Sequence, residues 1–201
     1  MPLLTLVLAS ASPRRSDLLR GAGYRFDVDP SGAEELDDPN LAPEVLVTQN
    51  AVIKGLEVAR RRPADLVLAA DTLVYLDGEP LGKPVNIDQA ATMIGRLSGR
   101  AHQVATGVSL AVFGQGFALE FCDITEVVFK SLTSGEIAEY LQQINPLDKA
   151  GGYAAQDHGE CIIEKIIGSK TNVIGLPMEM LTEKLLSEGF RDYVPAELGG
   201  V

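Results

Sequence analysis

The sequence predicts an α/β chain built on a mixed sheet. Two observations carry this: short apolar runs rich in Leu and Val alternate with helical stretches, and two long extended runs meet at Gly114-Gln115-Gly116, a hairpin signal. In chain order, residues 3–9 read as a buried strand. Ser12 then stands at a helix N-cap with Pro13 at the first helical position, and the helix stops between Gly21 and Gly23. Residues 26–28 form a short strand, and residues 43–62 a longer helix closed by Pro63. Residues 66–70 make a second buried strand, followed by residues 72–76 and a turn at Asp77 and Gly78. Residues 89–97 are helical up to Gly99, and residues 102–113 and 117–129 are the two arms of the hairpin. Thr133 and Glu136 make a capping box that opens a helix to about residue 144. Residues 177–189 supply the last helix, and the tail from about residue 190 to 201 is expected to fray. With no internal repeat or low-complexity tract, residues 1–201 read as one domain.

Composition removes whole classes of function. Of 201 residues 46% are hydrophobic, enough to bury a core and to exclude wholesale disorder. The net charge of −11, from 28 acidic and 17 basic residues, argues against a protein that coats nucleic acid. No apolar run approaches the ~18–20 residues a membrane helix needs. Cys122 and Cys161 lie far apart and form no CxxC pair, so neither a disulfide framework nor a zinc site is indicated. The apolar start of the chain has Arg14 and Arg15 after it rather than before it, unlike a signal peptide, and a cytoplasmic protein is expected.

Several segments carry candidate chemistry. In Ser10-Ala11-Ser12-Pro13-Arg14-Arg15 two arginines occupy a helix's first turn, where each cation costs about 0.3–1 kcal/mol against the macrodipole. Hydroxyls, free backbone N–H groups and guanidiniums at a helix start make an anion receptor; the plain alternative is a solvated arginine pair. Asp71 follows the apolar run 66–70, a place suited to a metal ligand or a base for water, or to an ordinary turn aspartate. Lys54 shares a helix face with Val47, Ala51 and Val58, so it either snorkels to the rim or reaches a buried anion. Residues 78–84 resemble a phosphate-binding loop but have too few residues between the glycines, and Pro84 replaces the metal-holding hydroxyl. Lys83 beside that glycine turn remains a phosphate contact. The loop 146–156 combines paired glycines with Gln156, whose amide can read a base edge. The acidic run 34–38 is either a solvated face or the source of one cation ligand. With only His102 and His158, and no GxSxG or HExxH, triad hydrolases and zincins are disfavoured. A hydrolase or binder of a phosphorylated small molecule, with a divalent cation, remains.

Taken in order, the motifs Leu8-Ala9-Ser10-Ala11-Ser12-Pro13-Arg14-Arg15, Ala70-Asp71-Thr72-Leu73-Val74, Gly82-Lys83-Pro84, the 146–156 loop and Gly168-Ser169-Lys170-Thr171-Asn172-Val173-Ile174-Gly175-Leu176-Pro177 resemble the Maf-like nucleoside triphosphate pyrophosphatases over residues 3–188. The resemblance implies a two-lobed α/β fold akin to inosine triphosphate pyrophosphatase, with a mixed central sheet flanked by helices and the site in the interlobe cleft. It implies a homodimer, magnesium or manganese, and hydrolysis of a nucleoside triphosphate to the monophosphate and pyrophosphate. Asp71 matches the family's proton acceptor and metal ligand, and Glu35 its acidic metal residue, although Glu34 beside it is a competitor for that role. Arg15, Lys54 and Lys83 match phosphate contacts, and Ser10 and Ser12 belong to the same substrate-binding motif. Arg14, Thr72 and Gln156 match the positions that separate branches, and these identities resemble the dTTP/UTP branch rather than the 7-methyl-GTP branch. The rival from another class is a non-catalytic nucleotide-binding regulator of septum formation. Counting Arg14, Arg15, Lys54, Lys83 and Lys149 against Glu35 and Asp71 gives an expected site charge of +3 within a chain of −11.

Overall fold

The computed structural model describes residues 5–38 and 40–199. Strand β1 (Leu6–Leu8) leads through Ser12 into α1 (Pro13–Gly21) and then β2 (Asp27–Val28). An irregular stretch precedes α2 (Pro43–Arg61), β3 (Leu66–Leu76), β4 (Glu79–Leu81) and α3 (Ile87–Leu97). The hairpin is β5 (Ala101–Val112) and β6 (Phe117–Phe129), closed by a helical turn over Phe113–Gln115 with Gly116 at φ 65°. Then come α4 (Ser134–Leu141), the short α5 (Gly159–Ile162), β7 (Ile163–Ile167), α6 (Lys170–Ile174) and α7 (Met178–Ser187). The expected capping box is present at Thr133 and Glu136. Residues 3 and 4 of the first predicted strand lie outside the described residues.

The seven strands make one mixed sheet in the order β2-β1-β3-β5-β6-β7, with β4 also on β3. Instead of two strands broken at Asp71, β3 is a single strand. It pairs antiparallel with β5 without interruption from Val67 to Tyr75, and that continuous ladder carries Asp71 through. The opposite edge of β3 changes partner. Residues 66–68 pair in parallel with β1, whereas residues 74–76 pair antiparallel with β4. Among the described residues, no strand pairs with that edge between these two segments, and Asp71 and Thr72 lie in the gap.

Strand alternation sends odd and even residues of β3 to opposite faces. Val67, Ala69 and Tyr75 face α2, whose Val47, Val58 and Ala59 complete the packing. Gly107 of β5 lets this helix lie directly on the sheet: a Cβ there would sit 2.4 Å from the carbonyl carbon of Val47. The other face holds two apolar clusters. One joins Leu66, Leu68 and Ala70 to Leu19 of α1 and to Leu181 and Leu185 of α7. The second joins Val74 and Leu76 to Ile94 and Leu97 of α3 and to Ile137 and Tyr140 of α4. Between them runs a polar strip containing Thr72 and the fully buried Thr106 and Asn172. The two-lobed arrangement is therefore two cores on one continuous sheet. The tail expected to fray packs instead through residue 194: Val194 is buried, and Phe190 and Tyr193 lie on the first cluster.

Candidate active site

At the open edge of β3 lies a cleft of about 890 Å³ that reaches both faces of the sheet. Its walls come from the β1–α1 junction, the irregular stretch before α2, the turn at residues 78–83, the loop 148–156 and residues 173–175. Asp71 points toward α2. Its Oδ1 accepts a 2.7 Å hydrogen bond from Lys54 Nζ, and its Oδ2 one of 3.3 Å from Asn50 Nδ2. Lys54 Nζ lies also 2.6 Å from Glu35 Oε1, so one ammonium joins two carboxylates contributed by distant parts of the chain. It is Glu35, not Glu34, that makes this contact. Burial raises the Glu35 carboxyl, but the hydrogen bond and charge of Lys54, with Lys83 and Arg15 further off, hold it below the usual carboxylate range. Of the two fates open to Lys54, the structure selects the buried anion.

On the opposite face, Arg15 spans the gap between the two cores. Its Nε donates to Gly175 O at 2.8 Å, Nη1 to Ser10 Oγ at 3.1 Å and Nη2 to Thr72 Oγ1 at 3.0 Å. All three acceptors are neutral. Burial lowers the Arg15 pKa from its ordinary value, Arg14 adds to that shift, and the charges of Asp71 and Glu35 oppose it. The hydroxyl chain behind it has a fixed direction. Thr106 Oγ1 donates to Asn172 O at 3.1 Å, so its lone pair is left to accept the Thr72 hydroxyl proton at 3.0 Å. Thr72 accordingly accepts from Arg15 and donates to Thr106, with Gly175 O a more distant second acceptor at 3.5 Å.

The remaining expected residues are dispersed around the mouth. Arg14 forms an ion pair with Asp148 at 3.1 Å across the cleft. Lys149 is buried and donates to Asn145 O at 2.7 Å and to Asp148 at 2.9 Å. Lys83 lines the cleft from an exposed position, and Gln156, also exposed, donates to Asp157 at 3.3 Å. Ser12 occupies the N-cap of α1, but its hydroxyl does not cap it; instead its N–H donates to Ser10 Oγ at 3.2 Å. Asp71 lies within a strand rather than at its end, though beside the point where β1 has stopped. The expected +3 is not found. Asp37, Asp38 and Asp148 also line the cleft, so its five cations face five carboxylates. The cleft is balanced in charge rather than basic, with Arg14, Lys54 and Lys149 each paired to a carboxylate.

Comparison with known proteins identifies the family. The profile described as "Maf-like protein" matches residues 5–188. The chain belongs to the Maf-like family. A Maf-like relative from Akkermansia muciniphila, named dTTP/UTP pyrophosphatase, is 41% identical over 92% of this chain and 97% of its own. Relatives of the same name from Gloeobacter violaceus and Myxococcus xanthus are 44% and 45% identical, covering 90% and 86% of this chain and 94% and 87% of their own. Among solved structures, the Staphylococcus aureus Ham1 protein superposes with a TM-score of 0.55 at 16% identity, covering 92% of this chain and 99% of that one, a likeness of fold.

Within this Maf-like site three residues escaped the sequence reading. Asn50 is buried and bonded to Asp71, Thr106 orients Thr72, and Asp148 holds Arg14. Asn50 precedes Lys54 by one helical turn, so the spacing that marked Lys54 marks it too. Among the described residues, no group of three or more His, Cys, Asp or Glu could hold a metal. Glu35 and Asp71 nonetheless converge on one cation, that of Lys54. Two hard carboxylates at the wall of an open cleft fit magnesium or manganese, which take one or two carboxylates and complete their shell with water or ligand oxygens.

Proposed function

We propose that this chain hydrolyses dTTP and UTP to the monophosphate and pyrophosphate. The observation that carries the reading is the convergence of Glu35 and Asp71 on Lys54, beside the neutral-faced Arg15, in a Maf-like protein whose relatives bear the name dTTP/UTP pyrophosphatase. Asp71 orients a water molecule in line with the α-phosphorus and takes its proton. As the new P–O bond forms, the bond from the α-phosphorus to the bridging oxygen breaks, and pyrophosphate leaves with that oxygen. Arg15, Lys54 and Lys83 offset the charge growing on the phosphates, since positioning and electrostatics dominate phosphoryl transfer. Glu35 and Asp71 would hold the magnesium or manganese ion, which supplies charge neutralisation on the triphosphate when bound. Arg14, Thr72 and Gln156 stand toward the nucleoside. The same reading includes a cytoplasmic homodimer, checked by sedimentation of the purified protein and fractionation of the cells that make it.

The test is pyrophosphate release from UTP, dTTP, CTP, ATP and 7-methyl-GTP with magnesium or manganese. UTP and dTTP are expected to lead. A preference for 7-methyl-GTP would overturn the assignment of Arg14, Thr72 and Gln156, and no release from any triphosphate would favour a binding regulator.

A further inference from the structure

The stretch that carries Glu35 has no regular secondary structure from residue 29 to 38, yet it is held along one face of α2. Asn50, Lys54, Glu57 and Arg61 follow one another at spacings of four, three and four residues, which aligns them on that face. Arg61 donates to Asp29 at 2.7 Å, Glu57 accepts from Gly32 N at 3.3 Å, and Lys54 meets Glu35. The last rung differs from the rest because it is buried: Asn50 is 3% exposed. Its Oδ1 accepts from Leu36 N at 2.7 Å, and its Nδ2 donates to Leu36 O at 3.2 Å and to Asp71 Oδ2 at 3.3 Å. Both amide protons are thereby committed, one to the backbone beside Glu35 and one to Asp71.

We propose that Asn50 is the positioning residue of the carboxylate pair: it fixes the backbone next to Glu35 against the carboxylate of Asp71, so that the two acids form one cation site. Lys54 alone cannot do this. It draws the acids together through Oδ1 of Asp71 and Oε1 of Glu35, oxygens that an arriving divalent cation competes for. Asn50 takes only the longer bond to Oδ2 of Asp71 and holds Glu35 through the backbone of Leu36, using no oxygen of Glu35. This inference rests on the proposed pyrophosphatase reading of the cleft.

The test uses the full-length protein and Mn²⁺ alone, titrated while the free ion is followed by electron paramagnetic resonance. Asn50→Leu keeps the bulk and removes the amide; Asn50→Ser is the second variant in case the first does not fold. Loss of an outer-shell partner typically weakens metal affinity about 10–100-fold, and that is the expected shift, with kcat for UTP falling while KM moves less than about threefold. Folded variants that bind Mn²⁺ within about twofold of wild type overturn the proposal, as does failure of both variants to fold. Wild-type protein that releases pyrophosphate but takes up no Mn²⁺ also overturns it, leaving the pyrophosphatase reading intact. Mn²⁺ binding that depends on Asn50, with no pyrophosphate from any triphosphate, supports Asn50 and overturns the reading of the reaction instead.

Discussion

Both oxygens of Asp71 have partners on α2, Oδ1 with Lys54 and Oδ2 with Asn50, so the carboxylate is oriented before any substrate arrives. Substituting Asp71→Asn preserves size and removes the negative charge that takes the proton. General-base contributions are typically 10²–10⁴-fold, so kcat is expected to fall by about that much while nucleotide affinity stays near wild type. Unchanged kcat in steady-state assays would refute the role. Thr106 calls for a subtler measurement. Thr106→Val removes the nearer acceptor for the Thr72 hydroxyl, leaving Gly175 O at 3.5 Å, and the donor to Asn172 O, while keeping the side chain's shape. A net hydrogen bond of about 1 kcal/mol predicts roughly a fivefold loss in kcat/KM for UTP, carried mainly by KM through Arg15. Thr106→Ser should restore it, and an added Thr106→Val should cost little in a Thr72→Val background.

The element that matters most is α2, which brings Asn50 and Lys54 to the cleft because it lies directly on β5 at Gly107. A Cβ there would stand 2.5 Å from Thr48 N, a contact that backbone must relieve by moving. Gly107→Ala is expected to cost roughly 1–3 kcal/mol, about 2–4 °C of Tm for each kcal/mol, and to lower kcat by lifting α2 away from Asp71. A melt and activity both equal to wild type would refute this packing account. Elements of this kind were largely legible. Apolar runs, caps and glycines marked β1, α1, α2, the β5–β6 hairpin and α7 to within a few residues. The short β4 and β7 were not legible, because Glu79–Leu81 and the half-exposed Ile163–Ile167 draw their strand character from the neighbours they pair with. The unbroken course of β3 through Asp71 was hidden for the same reason: a polar residue inside a strand is tolerated here because the gap beside it opens into the cleft. Among the expected site residues, Glu35 and Asp71 meet at Lys54 on one face of the sheet, and Thr72 meets Arg15 on the other. Asn50 shares the helical spacing of Lys54 and Asp148 lies in the 146–156 loop, whereas Thr106 carried no local signal distinguishing it from an ordinary core polar residue.

At the scale of the whole molecule, the second core has its own pH sensitivity. His102 is 3% exposed, bonded through Nε2 to Tyr153 OH at 2.7 Å, and burial lowers its pKa to about 4 from 6.5. The unfolded chain therefore takes up the proton first as pH falls. Stability from this group is fully present above pH 6.5 and is lost progressively down to about pH 4, at no more than about 1.4 kcal/mol per pH unit. The Glu35 carboxyl, held low by Lys54, acts in the same sense further down: its contribution is present above the usual carboxylate range and fades as pH drops through the lowered value. Urea unfolding at stepped pH should show this decline, and His102→Gln should flatten the part between pH 6.5 and 4. An identical slope in that variant would refute the assignment. The handover of partners along the edge of β3 has a mechanical consequence as well. β3, β5 and β6 each run unbroken beneath both cores, and α2 spans their other face. Opening the cleft therefore means twisting a shared spine rather than swinging on a flexible joint. Along β3, β5 and β6 a protease given the native protein finds no linker to cut between the lobes, and a gene split at the cleft would sever a strand that both halves need.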